Sequence, residues 1–261
     1  MVCGFIRENG IARTARAVSL AAVLTVAGPG GAAAQAPGGS SVVEACLSAN
    51  RQVALGVPLP RTAARLKSGE VRIVAVGSSS TTGLWVLRRG GTYPEVLARE
   101  LTALRPQSRI EVVNSGQVGD TITGMVGRFG RDVLAYRPDL VVWQLGTNDV
   151  AWGGSAGGLK ELIVNGVRTL RAAGPDVILM DLQYAPMVLA SSQHPVMQAM
   201  IAEAARQERV GLFSRFAVMR RSVESGLPPG ALVSWDGLHN SADGYECIGR
   251  SLARAIDAAA R

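Results

Sequence analysis

The chain has 261 residues, 27 of them basic and 20 acidic, for a formal net charge of +7; 48% are hydrophobic and three are cysteine. This length, even without a leader, suits one large α/β domain with a real core. The arginines are scattered and few aromatics are interleaved with them, so the basic excess reads as a solvated surface and no nucleic-acid partner is expected.

The chain opens with Arg7, Arg13 and Arg16, followed by an apolar run from Ala17 to Ala27 and the stretch "GPGGAAAQAPGGSS", with small residues at Ala34 and Ala36. This order is that of a secretory signal peptide over residues 1–36, cleaved after Ala36. The apolar run is shorter than the roughly 18–20 residues a membrane span needs. An exported protein, periplasmic or secreted, with no stable membrane span after leader removal, is therefore expected. Leader removal lowers the net charge to +5 (27 basic less three, 20 acidic less one) and takes Cys3 with it. Cys46 and Cys247 remain as an even pair and are expected to form a disulfide in an oxidising compartment. Two separate buried thiols are the alternative. Neither cysteine has histidines at metal-ligand spacing, so no structural zinc is expected.

Beyond the leader, Val42–Leu55 is helix-like, and "GVPLPR" leads to a second helical stretch ending near Ser68-Gly69. Residues 37–70 thus form an N-terminal extension to a domain spanning 71–261. From there strand-length apolar runs at Val71–Val76, Ile110–Val113, Leu140–Leu145, Val177–Met180 and, more weakly, Val210–Phe213 alternate with helix-period segments. The segments are Tyr93–Leu104, Thr121–Tyr136, Gly158–Ala172, Pro195–Glu208, Ser214–Ser225 and Ala242–Ala259. Continuous apolar strands separated by helices predict a mostly parallel five-stranded sheet between two helical layers, an α/β/α sandwich. Right-handed crossovers then put every strand C-terminus on one edge.

Four short motifs fall just after strands or just before the last helix: "GSSSTTG" (77–83), "NSGQVGDT" (114–121), "GTND" (146–149) and "DGLH" (236–239). Each has an ordinary reading alone. A serine-rich turn can cradle a phosphate or be a plain turn, glycines mark tight turns, Asn148 or Asp149 can cap a helix, and "DGLH" can be a surface turn. Together, in this order and spacing, they resemble the GDSL/SGNH hydrolase family over most of the chain after Val71. The resemblance implies a flavodoxin-like α/β/α fold and a serine esterase working through an acyl-enzyme, with no metal or organic cofactor. It implies Ser79 as nucleophile, with Asp236 and His239 completing a catalytic triad. The oxyanion hole would be the backbone of Ser79 and Gly119 and the side chain of Asn148. Its first block usually reads Gly-Asp-Ser-Leu; here Ser78 stands in the aspartate's place, which alters the local hydrogen bonding, and Ser80 is the runner-up nucleophile.

The residue chemistry agrees. A serine hydroxyl needs an adjacent base, and of the two histidines only His239 has a carboxylate, Asp236, spaced to fix its tautomer. His194, before Pro195 at a helix start, reads as a surface or structural histidine. Tyr93, Gln183 and Tyr184 are candidates to line the pocket, whereas Trp143 is better read as a core strand residue. The resemblance implies a small-molecule or carbohydrate ester as substrate, and export favours short-chain or acetyl groups on sugars. The alternatives are a flavodoxin-like phosphate or flavin binder using "GSSSTTG", and a non-catalytic or acyltransferase member of the same family. The oligomeric state is not legible in the sequence.

Overall fold

The computed structural model describes residues 39–86 and 89–261. The expected leader lies outside the described residues. Helices α1 (Gly39–Ala49) and α2 (Pro60–Lys67) precede strand β1 (Glu70–Gly77), which is followed at once by the single turn α3 (Ser79–Thr82). Next come α4 (Tyr93–Leu104), β2 (Arg109–Gly116), α5 (Ile122–Gly127), α6 (Phe129–Asp132), a 3-10 turn (Leu134–Tyr136) and β3 (Leu140–Gln144). The second half runs α7 (Thr147–Ala151), α8 (Leu159–Ala172), β4 (Asp176–Met180), α9 (Pro186–Leu189), α10 (His194–Glu208), β5 (Gly211–Phe213), α11 (Arg215–Glu224) and α12 (Ala242–Ala259).

The five strands form one parallel sheet in the order β2-β1-β3-β4-β5. The chain reverses its direction of winding between β1 and β3, and a doubly wound sheet opens its crevice at such a point. Successive side chains on a strand face opposite ways, and β3 shows the consequence. Trp143 points to α5 and α6, its indole N–H 3.2 Å from Met125 Sδ and its ring edge-on to Phe129. Gln144, one residue on, points to the other layer and meets Ser78 and Thr81. All five residues of β3 are buried, whereas β2, at the sheet edge, is mostly half-buried.

The helices flank the sheet in two groups, α1, α4, α11 and α12 packing among themselves and α5, α8 and α10 doing the same. Local chemistry sets their ends. Thr92 accepts from the Glu95 amide while the Glu95 carboxylate accepts from the Thr92 amide, a reciprocal cap that starts α4. The predicted helix Thr121–Tyr136 is instead three short pieces. Arg128 breaks it, leaving helical geometry at φ −112° and ψ 6° while its guanidinium turns inward to Asp120, the Gly77 carbonyl and the Ser115 carbonyl. The segment Val42–Leu55 is helical only to Ala49, because the buried Asn50 side chain ties back to the Cys46 and Val218 carbonyls.

Both α1 and α2 contribute to the core through Val42, Val43, Cys46, Leu47 and Leu66. Cys46 on α1 and Cys247 on α12 are disulfide-bonded, with Cα atoms 6.2 Å apart and a separation of 201 positions in the chain. Among the described residues no helix is long and apolar enough to cross a membrane, and no group of three or more metal-capable side chains gathers.

A cross-link over so long a loop restricts the unfolded chain strongly, typically stabilising a protein by about 2–4 kcal/mol. Replacing Cys46 and Cys247 together by serine should lower the unfolding free energy in urea by about that amount. A double variant as stable as the parent would contradict the bond's structural role.

Candidate active site

Every strand C-terminus lies on one edge of the sheet, and the four motifs come together there. Ser79 follows β1 and opens α3, with its side chain almost enclosed. Its position is fixed from below by β3. Gln144 Oε1 accepts three hydrogen bonds, from the Ser78 amide (2.9 Å), the Ser78 hydroxyl (3.0 Å) and the Thr81 hydroxyl (3.1 Å). Thr81 in turn meets the buried Tyr93 hydroxyl at 3.0 Å. Burial pushes the Tyr93 phenol up to about 12, against the lowering effect of Thr81 and Arg215, so it stays neutral. Ser78 thus stands in the aspartate's place with its own partner, supplied by the strand beside it. The end of β2 passes directly beneath α3, and a Cβ at Gly116 would overlap the Thr82 amide nitrogen. Only glycine permits that approach.

The loop carrying the histidine is a tight hairpin before α12. The Ser234 amide donates to the His239 carbonyl at 2.7 Å, and Val233 and Asn240 pair as an antiparallel bridge. Asp236 closes the turn from within, since its Oδ1 accepts from the amides of Leu238 and His239, both at 3.0 Å. A buried relay anchors the hairpin to the sheet. Arg215 Nη2 donates to Gln183 Oε1 at 2.7 Å, and Gln183 Nε2 donates to the Leu238 carbonyl at 3.0 Å.

These supports bring a hydroxyl, an imidazole and a carboxylate into line. Ser79 Oγ lies 2.7 Å from His239 Nε2, and His239 Nδ1 lies 2.6 Å from Asp236 Oδ2. An ionised carboxylate only accepts, so the imidazole proton sits on Nδ1, and Nε2 is the acceptor for the Ser79 hydroxyl. Burial works to raise the Asp236 carboxyl. Hydrogen bonds from the His239 ring, the Leu238 and His239 amides and the Trp85 indole outweigh it and hold the group at about 2. Ser80 is buried beside Ser79, but the ring of His239 meets Ser79.

Two further elements frame the hydroxyl's edge of the sheet. Gly119 follows β2 with φ +79°, left-handed backbone that glycine adopts without strain, and a Cβ there would meet no protein atom within 4 Å. Asn148, in α7 after β3, is half-buried and donates from Nδ2 to the Asp120 carbonyl at 2.8 Å. That bond uses one of its two amide protons and fixes the side-chain plane. The neighbouring Asp149 receives the Ile122 amide; burial is the largest influence on its carboxyl and raises it.

Of the residues considered for the pocket wall, Tyr93 and Gln183 are buried supports of the Ser79 turn and the histidine hairpin, so they do not line an open pocket. Trp143 is core. Tyr184 packs edge-on against Phe216, whose other neighbour is the His194 ring. His194 Nδ1 donates to the Ser191 carbonyl at 2.8 Å and takes a structural place. Trp85 was not legible as a site residue. Its indole Nε1 donates to Asp236 Oδ2 at 2.7 Å, from a backbone with φ +70° that no sequence pattern marks.

The sheet order and its two helical layers place the chain among the doubly wound α/β proteins. Within them it belongs to the Non-GDSL lipase-like family, which it matches over residues 45–261. It is 29% identical over 182 residues to an acetylxylan esterase of Geobacillus stearothermophilus, spanning 64% of this chain and 81% of that one. A solved structure of an acetylxylan esterase from the same organism superposes with a TM-score of 0.61 at 23% identity, over 71% of this chain and 94% of that one. That structure is a catalytic mutant at a histidine, and another of the same enzyme is a catalytic mutant at an aspartate. A two-domain esterase active on acetylated mannans, co-crystallised with mannopentaose, superposes with a TM-score of 0.69 at 21% identity. The overlap covers 80% of this chain and 56% of that one.

Two outcomes check the supports. Gln144→Leu leaves the buried Ser78 amide without its acceptor, which should destabilise the fold by about 1–3 kcal/mol; a urea midpoint equal to the parent's would mean the acceptor is dispensable. Trp85→Phe removes one donor from Asp236, so the carboxyl should titrate above its parent position near 2. Because the shift in the parent is downward, the stability it contributes is present above the ordinary carboxylate range and is lost as pH falls towards 2. The variant should lose it at higher pH. Identical carboxyl titrations by carbon NMR in the two proteins would exclude the indole's influence.

Proposed function

We propose that the protein is a serine esterase that removes acetyl groups from carbohydrate through an acyl-enzyme. The observation that carries this reading is the unbroken line of short contacts from the Ser79 hydroxyl through His239 to Asp236. As the Ser79 oxygen bonds to the acetyl carbonyl carbon, its proton passes to His239 Nε2. Asp236, ionised far below neutral pH, steadies the imidazolium. The carbonyl π electrons move to oxygen, where the Ser79 and Gly119 amides and the free proton of the Asn148 amide are the donors. Each such donor is typically worth about 3–4 kcal/mol of transition-state stabilisation. On collapse the sugar oxygen leaves with the proton from His239. Water then attacks the acetyl-enzyme by the same proton path in reverse and releases acetate.

Acetylated carbohydrate as the substrate class is supported by the relatives, which act on acetylated xylan and mannans. The phosphate-loop reading of "GSSSTTG" finds less support, because the Ser78 and Thr81 hydroxyls are engaged by Gln144 and that of Ser79 by His239. Export fits the buried disulfide, which persists in oxidising compartments. In this reading residues 1–36 are the leader, 37–70 an N-terminal extension and 71–261 the catalytic domain.

Ser79→Ala and His239→Ala should each lower kcat on 4-nitrophenyl acetate by at least about 10³-fold, with unchanged circular dichroism. Retention of a tenth or more of the parent rate in either folded variant would overturn the assignment.

A further inference from the structure

The four tryptophans divide sharply. Trp143 is fully buried, whereas Trp85, Trp152 and Trp235 are 48%, 66% and 82% exposed, and all three stand on segments at the strand-end edge that holds Ser79. Exposed indoles are costly in water and aggregation-prone, so two that meet beside Asp236 point to a ligand. Two of them form a defined object. Trp85 and Trp235 have ring centroids 5.2 Å apart with planes tilted by 55°.

Both rings are tied to the triad. Trp235 directly precedes Asp236 in the chain, and Trp85 donates its indole N–H to Asp236 Oδ2, the oxygen that also meets His239 Nδ1. The single polar atom of the Trp85 ring is thereby engaged, leaving apolar faces. The backbone supports this placement at a cost. Trp85 holds φ +70°, a left-handed conformation that a bulky side chain rarely adopts and that persists only where surroundings fix it.

We propose that Trp85 and Trp235 form a platform for one pyranose ring of the substrate, next to the ring that carries the scissile acetyl group. This rests on the esterase reading above and adds to it which residues grip the glycan. Equatorially substituted pyranoses present a face of axial C–H groups that packs on indole, while their hydroxyls stay in water. An isolated acyl chain has no such face, so the platform confers a preference for sugar esters over simple ones. Because the Trp85 edge touches Asp236, a sugar seated on the pair also holds the carboxylate side of the triad in place.

The test compares Trp235→Ala and Trp235→Phe with the parent, full-length, on an acetylated xylo-oligosaccharide and on 4-nitrophenyl acetate. Since Trp235 is the most exposed of the four, its replacement leaves the core intact. In Trp235→Ala the ratio of kcat/KM for the oligosaccharide to that for the small ester should fall about ten-fold, mostly through KM, and Trp235→Phe should recover part of it. An unchanged ratio would overturn the platform. Binding of unacetylated xylotetraose to the Ser79→Ala protein, read by calorimetry, separates this from the esterase reading. Binding that is lost with Trp235→Ala sustains the platform even where no ester is cleaved. No binding, together with an unchanged ratio or no turnover of the oligosaccharide, refutes it.

Discussion

Ser79 and His239 stand 160 residues apart in the chain, and the 2.7 Å contact between them exists only because a parallel sheet turns all its strand ends to one side. Separate sets of hydrogen bonds hold its two partners in place. From below, Gln144 on β3 holds the Ser79 turn by accepting from three donors. From the side, the Arg215–Gln183–Leu238 relay pins the histidine hairpin to the ends of β4 and β5. In the proposed reaction the proton passes across that contact, and because transfer between poorly aligned groups is slow, rigid supports would favour it.

The disulfide fits the same logic from a distance. Cys247 lies in α12, the helix that begins just after the histidine hairpin, and Cys46 lies in α1 at the start of the described chain. The bond fastens the N-terminal helix to the C-terminal one, and the buried Asn50 and Ser222 side chains surround Cys46 with further hydrogen bonds. The segment preceding β1 is therefore integrated with the core.

Much of the fold was legible because buried strands advertise themselves. Runs such as Leu140–Leu145 and Val177–Met180 are apolar without alternation, as strands covered on both faces must be. The single-turn helices α3, α7 and α9 escaped, being too short to show a period. The break at Arg128 escaped as well, since what ends the helix is a guanidinium drawn inward by carbonyls from β1 and β2, a tertiary cause. At the site, the serine, aspartate and histidine were readable as motifs, but their supports were not. Gln144 lies inside an apolar strand run, Gln183 reads only as a pocket-wall candidate, and Trp85 belongs to no motif, because hydrogen bonds across 66, 55 and 151 residues leave no local trace.

In the proposed reaction everything converges on one oxygen atom becoming nucleophilic, which can be read chemically without knowing the natural substrate. Incubation of the full chain with a fluorophosphonate, followed by peptide mass spectrometry, should find a single phosphonylated residue, Ser79, and labelling should be slowed strongly in His239→Ala. Labelling at another serine, or of Ser79 at the same rate without His239, would contradict it.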